Sequence, residues 1–180
     1  MPKLIKGEKI PDFTYETPFE KDQDFLKTVA KKKRTALVFL RYYGCTLCQL
    51  DIHDFKESYD QIEKAGGQLL IVLQSDPQYL AGELKDPTVL PFKIVCDPEK
   101  KLYQMFEIMP AKNKLGMIGI HSVGKIERAK KAGFVHGKYE GDELQLPAAF
   151  ITDESGKLLY VNYAKSVDGV PTAEELVKEF

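Results

Sequence analysis

The sequence has little net charge, few cysteines and no long apolar run, and each shortage excludes a class of protein. Its 26 lysines and arginines nearly balance 27 aspartates and glutamates, for a net charge of -1. Proteins that bind nucleic acid or an anionic membrane usually carry a basic excess, so neither partner is expected. No segment approaches the roughly 18 apolar residues of a membrane-spanning helix. With 43% hydrophobic and 29% charged residues, the composition is that of an ordinary globular protein.

The N-terminus and the cysteine count indicate the compartment. The first residues, Met-Pro-Lys-Leu-Ile-Lys-Gly, contain no apolar stretch of signal-peptide length and no small-residue cleavage site. We therefore expect a cytoplasmic protein, although a leader that had been removed would leave the same pattern. Three cysteines are too few and too unevenly spaced for a disulfide scaffold. In a reducing compartment, the close pair Cys45 and Cys48 instead indicates redox or metal chemistry.

Apolar segments alternate with helical patterns along most of the chain. Strand-like segments lie at 35–40, 68–74, 92–96, 148–152 and 158–163. Helical patterns lie at 46–65, 77–84, 99–107, 123–132 and after residue 172. Alternation followed by a hairpin predicts an α/β fold, with a central mixed β-sheet flanked by helices on both faces. The length favours a single domain, 1–180, with an N-terminal hairpin extension at about 1–20.

The motif Cys45-Thr46-Leu47-Cys48 lies where a buried strand passes into a helix. The first turn of a helix has free backbone N–H groups and the positive end of the helix dipole, and both stabilise a thiolate. Two intervening residues place the second sulfur about one turn away. The second sulfur is then close enough to attack a mixed disulfide on the first and release the substrate.

The helix pattern makes the two cysteines unequal. Apolar residues recur at spacings of three and four from Cys48 through Ile52, Phe55, Tyr59 and Ile62, and this stripe should face the core. Cys45 precedes the stripe and is expected at an exposed tip. We therefore predict that Cys45 is the attacking thiolate and that Cys48 is the sheltered resolving thiol.

The cysteine pair has two possible uses other than redox chemistry, a zinc site and a place in the core. The pair could be half of a zinc site, but a four-ligand site needs more soft ligands, and there is no second Cys-x-x-Cys. It could also be two core cysteines, which is the role expected for Cys96 at a strand end. Asp51 and Asp54 indicate a solvated helix face beside His53. Only long-range folding would complete a zinc site from Cys96, His53, His121 and His136.

The segment from Val38 to Cys48 resembles the active-site entry of thioredoxin-fold proteins, and most closely that of the peroxiredoxin-like alkyl hydroperoxide reductase and thiol-specific antioxidant family. Further similarities cover nearly the whole chain, although only the cysteine motif is specific. They are Ile-Pro-Asp-Phe at 10–13, Cys-Asp-Pro-Glu at 96–99, Phe-Ile-Thr-Asp at 150–153 and Gly-Lys at 156–157. The resemblance implies a thioredoxin-like fold and an antioxidant that reduces hydroperoxides without a bound cofactor.

The sequence departs from that family where peroxide would bind. Peroxiredoxins carry Pro-xxx-Thr-xx-Cys, in which the last cysteine attacks peroxide. In the resemblance that cysteine corresponds to Cys48, the threonine to Cys45 and the proline to Arg41, while Pro147 replaces a second arginine. The family alignment therefore assigns the attack to Cys48, against the helix pattern, and the usual peroxide-binding set is largely missing.

Pro147 and Arg41 complete the predicted site. Pro147 resembles the cis-proline that thioredoxins place opposite their Cys-x-x-Cys, so we predict a cis bond that presents backbone to an extended substrate. Cis bonds make up only about 5–6% of X–Pro bonds, so this prediction rests on the resemblance. Gly44 and Thr46 are the other predicted substrate contacts. Arg41 is predicted either to stabilise the Cys45 thiolate or to bind a carboxylate such as Asp51 or Asp76.

Several functions are compatible with the sequence. The protein is predicted to be an oxidoreductase with a redox-active disulfide, and the substrate is a hydroperoxide or, alternatively, a protein disulfide. A thioredoxin-type reductant would restore the dithiol. A non-catalytic redox sensor or interaction module is a further alternative, and a zinc-binding module is another. Many relatives dimerise, so a homodimer is compatible with the resemblance, but the sequence does not place its interface.

Overall fold

The structure, a computed structural model, describes residues 2–180. The helices in this part of the chain are Phe25–Val29 (α1), Thr46–Lys64 (α2), Pro77–Leu84 (α3), Lys101–Met105 (α4), Ser122–Lys131 (α5) and Ala173–Lys178 (α6). The strands are Thr14–Tyr15 (β1), Gln23–Asp24 (β2), Arg34–Phe39 (β3), Gly67–Leu73 (β4), Lys93–Cys96 (β5), Ala148–Asp153 (β6) and Leu158–Tyr163 (β7). No helix within 2–180 is both long enough and apolar enough to cross a membrane.

The central sheet has five strands in the order β5-β4-β3-β6-β7. Strands β3, β4 and β5 run parallel, because α2 and α3 form the crossovers that parallel neighbours need. Strand β6 is antiparallel to β3, and β7 is antiparallel to β6 through the turn at 154–157. The predicted mixed sheet and its five strand segments are thereby confirmed.

Alternate residues of the central strands build two separate cores. Ala36 and Val38 of β3 face one layer, which contains α2, α3, α5 and α6. Leu37 and Phe39 face the other, which contains α1 and α4. Successive strand residues point to opposite faces, so a continuous apolar run requires cover on both sides. The predicted helices on both faces are therefore confirmed.

The N-terminal part of the chain packs on one end of this layered unit. Strands β1 and β2 form a separate two-stranded antiparallel sheet, whose second strand lies beyond residue 20. The backbone N–H groups of Gly7 and Ile10 donate to the carbonyl oxygens of Leu158 and Gly156. The division into one domain with an extension at about 1–20 stays a prediction.

Three elements bring the predicted site together. The chain leaves the end of β3, turns through 40–45 and enters α2. Antiparallel pairing of Phe39 with Ala148 places Pro147, just before β6, beside this turn. Helix α5 packs against α2 from the other side.

Candidate active site

Cys45 is the N-cap residue of α2. Its backbone is extended (φ -69°, ψ 123°), and its sulfur accepts a hydrogen bond from the Cys48 backbone N–H at 3.3 Å. This N–H is one of the donors that a helix leaves unpaired in its first turn. The sulfur thus occupies the place of a capping oxygen, where the helix dipole favours a negative charge.

Two side chains also donate to the same sulfur. The Cys48 thiol lies 2.8 Å from the Cys45 sulfur, and the Arg41 Nη2 lies 2.9 Å from it. Both cysteines are free, so the site is in its dithiol state, and the predicted disulfide stays a prediction. Three donors around one sulfur are an arrangement that stabilises a thiolate rather than a thiol.

The surroundings separate the pKa values of the two thiols. Burial acts to raise the pKa of Cys45, but the Cys48 hydrogen bonds and the Arg41 charge outweigh it and lower the pKa to about 6. Burial raises the pKa of Cys48 well above its usual value, and the neighbouring Cys45 raises it further. Cys45 is therefore the more acidic thiol of the pair and Cys48 the less acidic one.

The predicted exposure of Cys45 is wrong. Cys45 is 0% exposed and Cys48 is 4% exposed, so both belong to the core beneath α2. The spacing of residues along the helix places Cys45 at the tip correctly, but it says nothing about what covers that tip. A distant segment, residues 134–142, lies over the motif and is called the covering loop below.

The covering loop is held against the motif at several points. Gly137 donates its backbone N–H to the carbonyl oxygen of Gly44 at 2.8 Å. Gln49 donates from its side chain to the Val135 carbonyl at 2.9 Å. The Tyr42 hydroxyl lies 3.0 Å from the His136 Nε2. These contacts hold the covering loop against residues that flank the buried Cys45 on both sides.

Gly44 fits the contact between motif and loop because it has no side chain. A Cβ at this position would lie 2.2 Å from the Lys138 carbonyl oxygen and 2.8 Å from the Lys138 backbone nitrogen. Gly44→Ala should therefore displace the covering loop and destabilise the fold by about 1–3 kcal/mol. We expect faster alkylation of Cys45 by iodoacetamide, measured by intact mass, and faster proteolysis within 134–142.

A glycine on a free helix surface provides the control for this substitution. Gly124 in α5 has nothing within 4 Å of an added Cβ, so Gly124→Ala should leave the alkylation rate unchanged and stabilise the helix slightly. If Gly44→Ala alkylates at the wild-type rate, the covering loop does not limit access to Cys45.

Arg41 takes one of its two predicted roles. Besides Cys45, it contacts the carbonyl oxygen of Glu143 through Nη1, at 2.7 Å. Asp51 instead pairs with Lys125, and Asp76 caps α3 through its hydrogen bond to Tyr79. The guanidinium therefore faces the Cys45 sulfur.

The predicted cis bond at Pro147 is wrong. No peptide bond between residues 2 and 180 is cis, so the Leu146–Pro147 bond is in the trans form that X–Pro bonds prefer. Pro147 is buried, lines a small cavity with Cys48, and accepts from the Ala164 N–H at its carbonyl. Its carbonyl oxygen is thus paired within the protein, while substrate binding by Pro147 stays a prediction. Substrate binding by Gly44 and Thr46, which stand at the same turn, stays a prediction.

The sequence reading missed a buried ion pair next to the cysteines. Asp51 was expected on a solvated face, but its side chain is 12% exposed and lies 2.7 Å from the Lys125 Nζ, itself 11% exposed. Asp54, one turn further on, is on the surface as expected, 2.8 Å from Arg128. Nothing in the local pattern distinguishes the two acids, because the difference arises from α5, about 74 residues later in the chain.

The remaining candidates lie apart from the pair. Cys96 is buried at the end of β5 as predicted, and burial raises the pKa of its thiol to about 12. His53 lies edge-on against Phe134, and His121 is the N-cap residue that precedes α5. Within residues 2–180, no group of three or more histidine, cysteine or acidic side chains is arranged to hold a metal ion.

Comparison with known proteins places the chain in a family. The model of the AhpC/TSA family matches residues 6–161. Prostamide/prostaglandin F synthase of Xenopus laevis is 30% identical over 153 residues, which cover 80% of this chain and 72% of that protein. Among solved structures, the mitochondrial 2-Cys peroxiredoxin of Plasmodium falciparum (TM-score 0.65, 14% identity) covers 97% of this chain and 90% of its own.

A second solved structure has the same fold. The peroxiredoxin-like protein of Aquifex aeolicus has a TM-score of 0.66 and 15% identity, covering 99% of this chain and 87% of its own. At such low identity the structures show the peroxiredoxin form of the thioredoxin-like fold, while the sequence match over most of the chain shows the family. This chain therefore belongs to the AhpC/TSA family, and it is a peroxiredoxin-like, thiol-dependent oxidoreductase, as its cysteine motif predicted.

Proposed function

We propose that the protein reduces hydroperoxides, with Cys45 as the attacking thiolate and Cys48 as the resolving thiol. The observation that carries this assignment is the Cys45 sulfur, which accepts from Cys48 at 2.8 Å and from Arg41 at 2.9 Å. The donors lower the pKa of Cys45 to about 6, while Cys48 is raised, so only Cys45 is a thiolate near neutral pH. This supports the order inferred from the helix over the order implied by the family alignment.

The proposed reaction has three steps. The Cys45 thiolate attacks the terminal oxygen of the hydroperoxide, the O–O bond breaks, and the alcohol leaves after taking up a proton. Cys48 then attacks the sulfenic acid on Cys45 and releases water, which forms the Cys45–Cys48 disulfide. An external dithiol of the thioredoxin type reduces this disulfide and is itself oxidised. Arg41 is placed to stabilise charge on the peroxide oxygen during the first step.

Disulfide exchange with a protein substrate is the second candidate, because the proline and threonine of the peroxiredoxin motif are replaced here by Arg41 and Cys45. Burial of Cys45 favours the first candidate. At 0% exposure beneath the covering loop, this sulfur is reached by a small hydroperoxide with less loop movement than by a folded protein disulfide. Cytoplasmic location and a homodimer stay predictions.

A coupled assay separates the candidates. Purified protein is mixed with thioredoxin, thioredoxin reductase and NADPH, and then given hydrogen peroxide, an organic hydroperoxide or insulin. Multiple turnovers of NADPH oxidation that require peroxide are expected. Turnover with insulin above the rate of the thioredoxin system alone, but not with peroxide, would support disulfide exchange. A single stoichiometric oxidation with neither substrate turned over would support a redox sensor.

A further inference from the structure

The resolving cysteine needs a base that the three steps above do not supply. Cys48 must lose its proton to attack the oxidised Cys45, yet burial holds the pKa of this thiol well above its usual value. Arg41 is a cation and cannot accept that proton. A proton acceptor close to the Cys48 sulfur is therefore missing from the site as described so far.

Asp51 is an acid in the required place. It follows Cys48 by three residues on α2, so the two side chains lie on the same face of the helix, one turn apart. Both line one small cavity of about 10 Å³, which Arg41 and Pro147 also line. That volume is close to the minimum that a single water molecule needs to bridge two polar groups.

Asp51 also connects this cavity to solvent. A groove of about 700 Å³ between α2, α5 and the segment before α6 is lined on its inner side by Asp51. Among residues 2–180, Asp51 is the only titratable one that lines both the groove and the cavity at Cys48. A proton taken from Cys48 can therefore leave through the same carboxylate into water.

Lys125 holds this carboxylate in place. Its Nζ contacts both carboxylate oxygens, Oδ1 at 2.7 Å and Oδ2 at 2.8 Å, and it also donates to the Val167 carbonyl at 3.0 Å. A buried ion pair contributes little net stability compared with apolar residues of the same volume, so packing gives no strong reason for this pair. The Asp51–Lys125 pair lies between the resolving thiol and solvent, and this position suggests a role in the chemistry.

We propose that Asp51 is the general base that deprotonates Cys48 during resolution, and that Lys125 is the residue that positions its carboxylate. In this step the Cys48 sulfur forms the S–S bond to Cys45, and the Asp51 carboxylate takes the Cys48 proton. The bond between the Cys45 sulfur and its leaving group breaks. From a sulfenic acid the leaving oxygen takes up a proton and departs as water, and from a mixed disulfide the other thiolate departs.

The charge environment sets the pH dependence of this step. Burial, together with the smaller effects of the negative charges of Cys45 and Asp54, raises the pKa of Asp51 to about 6 against the attraction of Lys125. Oxidation of Cys45 removes its negative charge, so in the oxidised site the step should lie at or slightly below pH 6. The other charged and titratable groups around Asp51 are Asp54 and Glu57 on α2, His121 just before α5, Arg128 on α5, Asp168 before α6, and Arg41 after β3.

The test uses a chromogenic aromatic disulfide, dithionitrobenzoate, because its two thiol products report the two cysteines separately. Attack by Cys45 releases the first thiolate, and resolution by Cys48 releases the second. Stopped-flow absorbance across a pH series is measured for the wild type, Asp51→Asn and the control Asp54→Asn, all in a Cys96→Ala background. The proposal rests on the proposed roles of the two cysteines but not on peroxide as the substrate, so failed peroxide turnover leaves this test intact.

We expect Asp51→Asn to slow the second release at least about tenfold at pH 7 while the first release stays within about twofold. In the wild type the second rate should rise with pH to a plateau, with its midpoint near pH 6, and this step should vanish in Asp51→Asn. Asp54→Asn should keep the wild-type rate of the second release at pH 7, with only a small shift of the midpoint to lower pH because Asp54 raises the pKa of Asp51. A second release in Asp51→Asn within twofold of wild type at every pH would overturn the proposal.

Lys125→Gln provides a second test, a shift in the pH midpoint of the second release, which a purely structural role of Asp51 would not produce. Loss of the cation should move the midpoint of the second release to higher pH, because Lys125 lowers the pKa of Asp51. An unchanged midpoint would count against the proposal. If Asp51→Asn unfolds because Lys125 is left unpaired, the double variant Asp51→Asn/Lys125→Gln restores charge balance and should show the same loss of the second release.

Discussion

Cys45→Ser is expected to lower hydroperoxide turnover at least about a thousandfold, because a serine hydroxyl stays protonated near neutral pH and does not replace a thiolate. Cys48→Ser should also stop turnover, but for a different reason. Its hydroxyl can still donate to the Cys45 sulfur, so the thiolate and its first reaction with peroxide should persist. Resolution is then impossible within the chain.

Intact mass after one equivalent of peroxide distinguishes the two variants. The wild type should lose two hydrogens as the Cys45–Cys48 disulfide forms. Cys48→Ser should retain one added oxygen, and the sulfenic acid that carries it should react with a reagent such as dimedone. The mass of Cys45→Ser should not change. The same oxygen adduct in Cys45→Ser would reverse the assigned roles and support the order that the peroxiredoxin alignment implies.

Arg41→Gln should remove the charge that holds the Cys45 thiolate and return its pKa from about 6 toward the ordinary value of about 9. The Cys48 hydrogen bonds remain, so the return is partial, and a pKa that rises past 7 leaves less than half of Cys45 ionised at pH 7, against nearly complete ionisation in the wild type. The more basic thiolate is intrinsically more nucleophilic, so the rate constant should fall less than the thiolate fraction does. The thiolate fraction is read from its ultraviolet absorbance during a pH titration.

The same substitution changes how stability depends on pH. In the reduced wild type, Cys45 has a lower pKa folded than unfolded, so its ionisation stabilises the fold above the unfolded value. That stability is lost as pH falls through about 6. The gap in thermal stability between wild type and Arg41→Gln should therefore widen from pH 6 to pH 9. Arg34→Gln, at the other end of β3, is the matched control, and its Cys45 titration should match that of the wild type. An Arg41→Gln titration that also coincides with the wild type would exclude the proposed role of Arg41.

Local patterns in the sequence account for most of the fold. Continuous apolar runs such as 35–40 predict strands covered on both faces, and β3 is such a strand. The spacing of apolar residues in α2 predicts the buried stripe that contains Cys48 and Phe55, and both are buried. These features depend on neighbouring residues along the chain, so the periodicity of apolar side chains is enough to reveal them.

The sequence also predicted the redox chemistry of Cys45 and Cys48, but it did not predict the surroundings of each cysteine. A Cys-x-x-Cys at a strand-to-helix junction places one sulfur at the N-cap whatever the rest of the chain does. The covering loop, about 90 residues further along the chain, packs against the residues around that sulfur through contacts such as Gly137 with Gly44. The glycines at 133, 137 and 141 are a local sign that the backbone here can approach another segment closely. They do not identify that other segment.

The sequence by itself determined that a strand, a turn and a helix would present two cysteines with unequal roles, because helix geometry is local. Only the tertiary structure decided that Arg41 faces Cys45, that the Leu146–Pro147 bond is trans, and that Asp51 is buried against Lys125. Each of these depends on groups brought together by folding. Charge and burial at a site are sums over neighbours in space, and the order of residues does not name those neighbours.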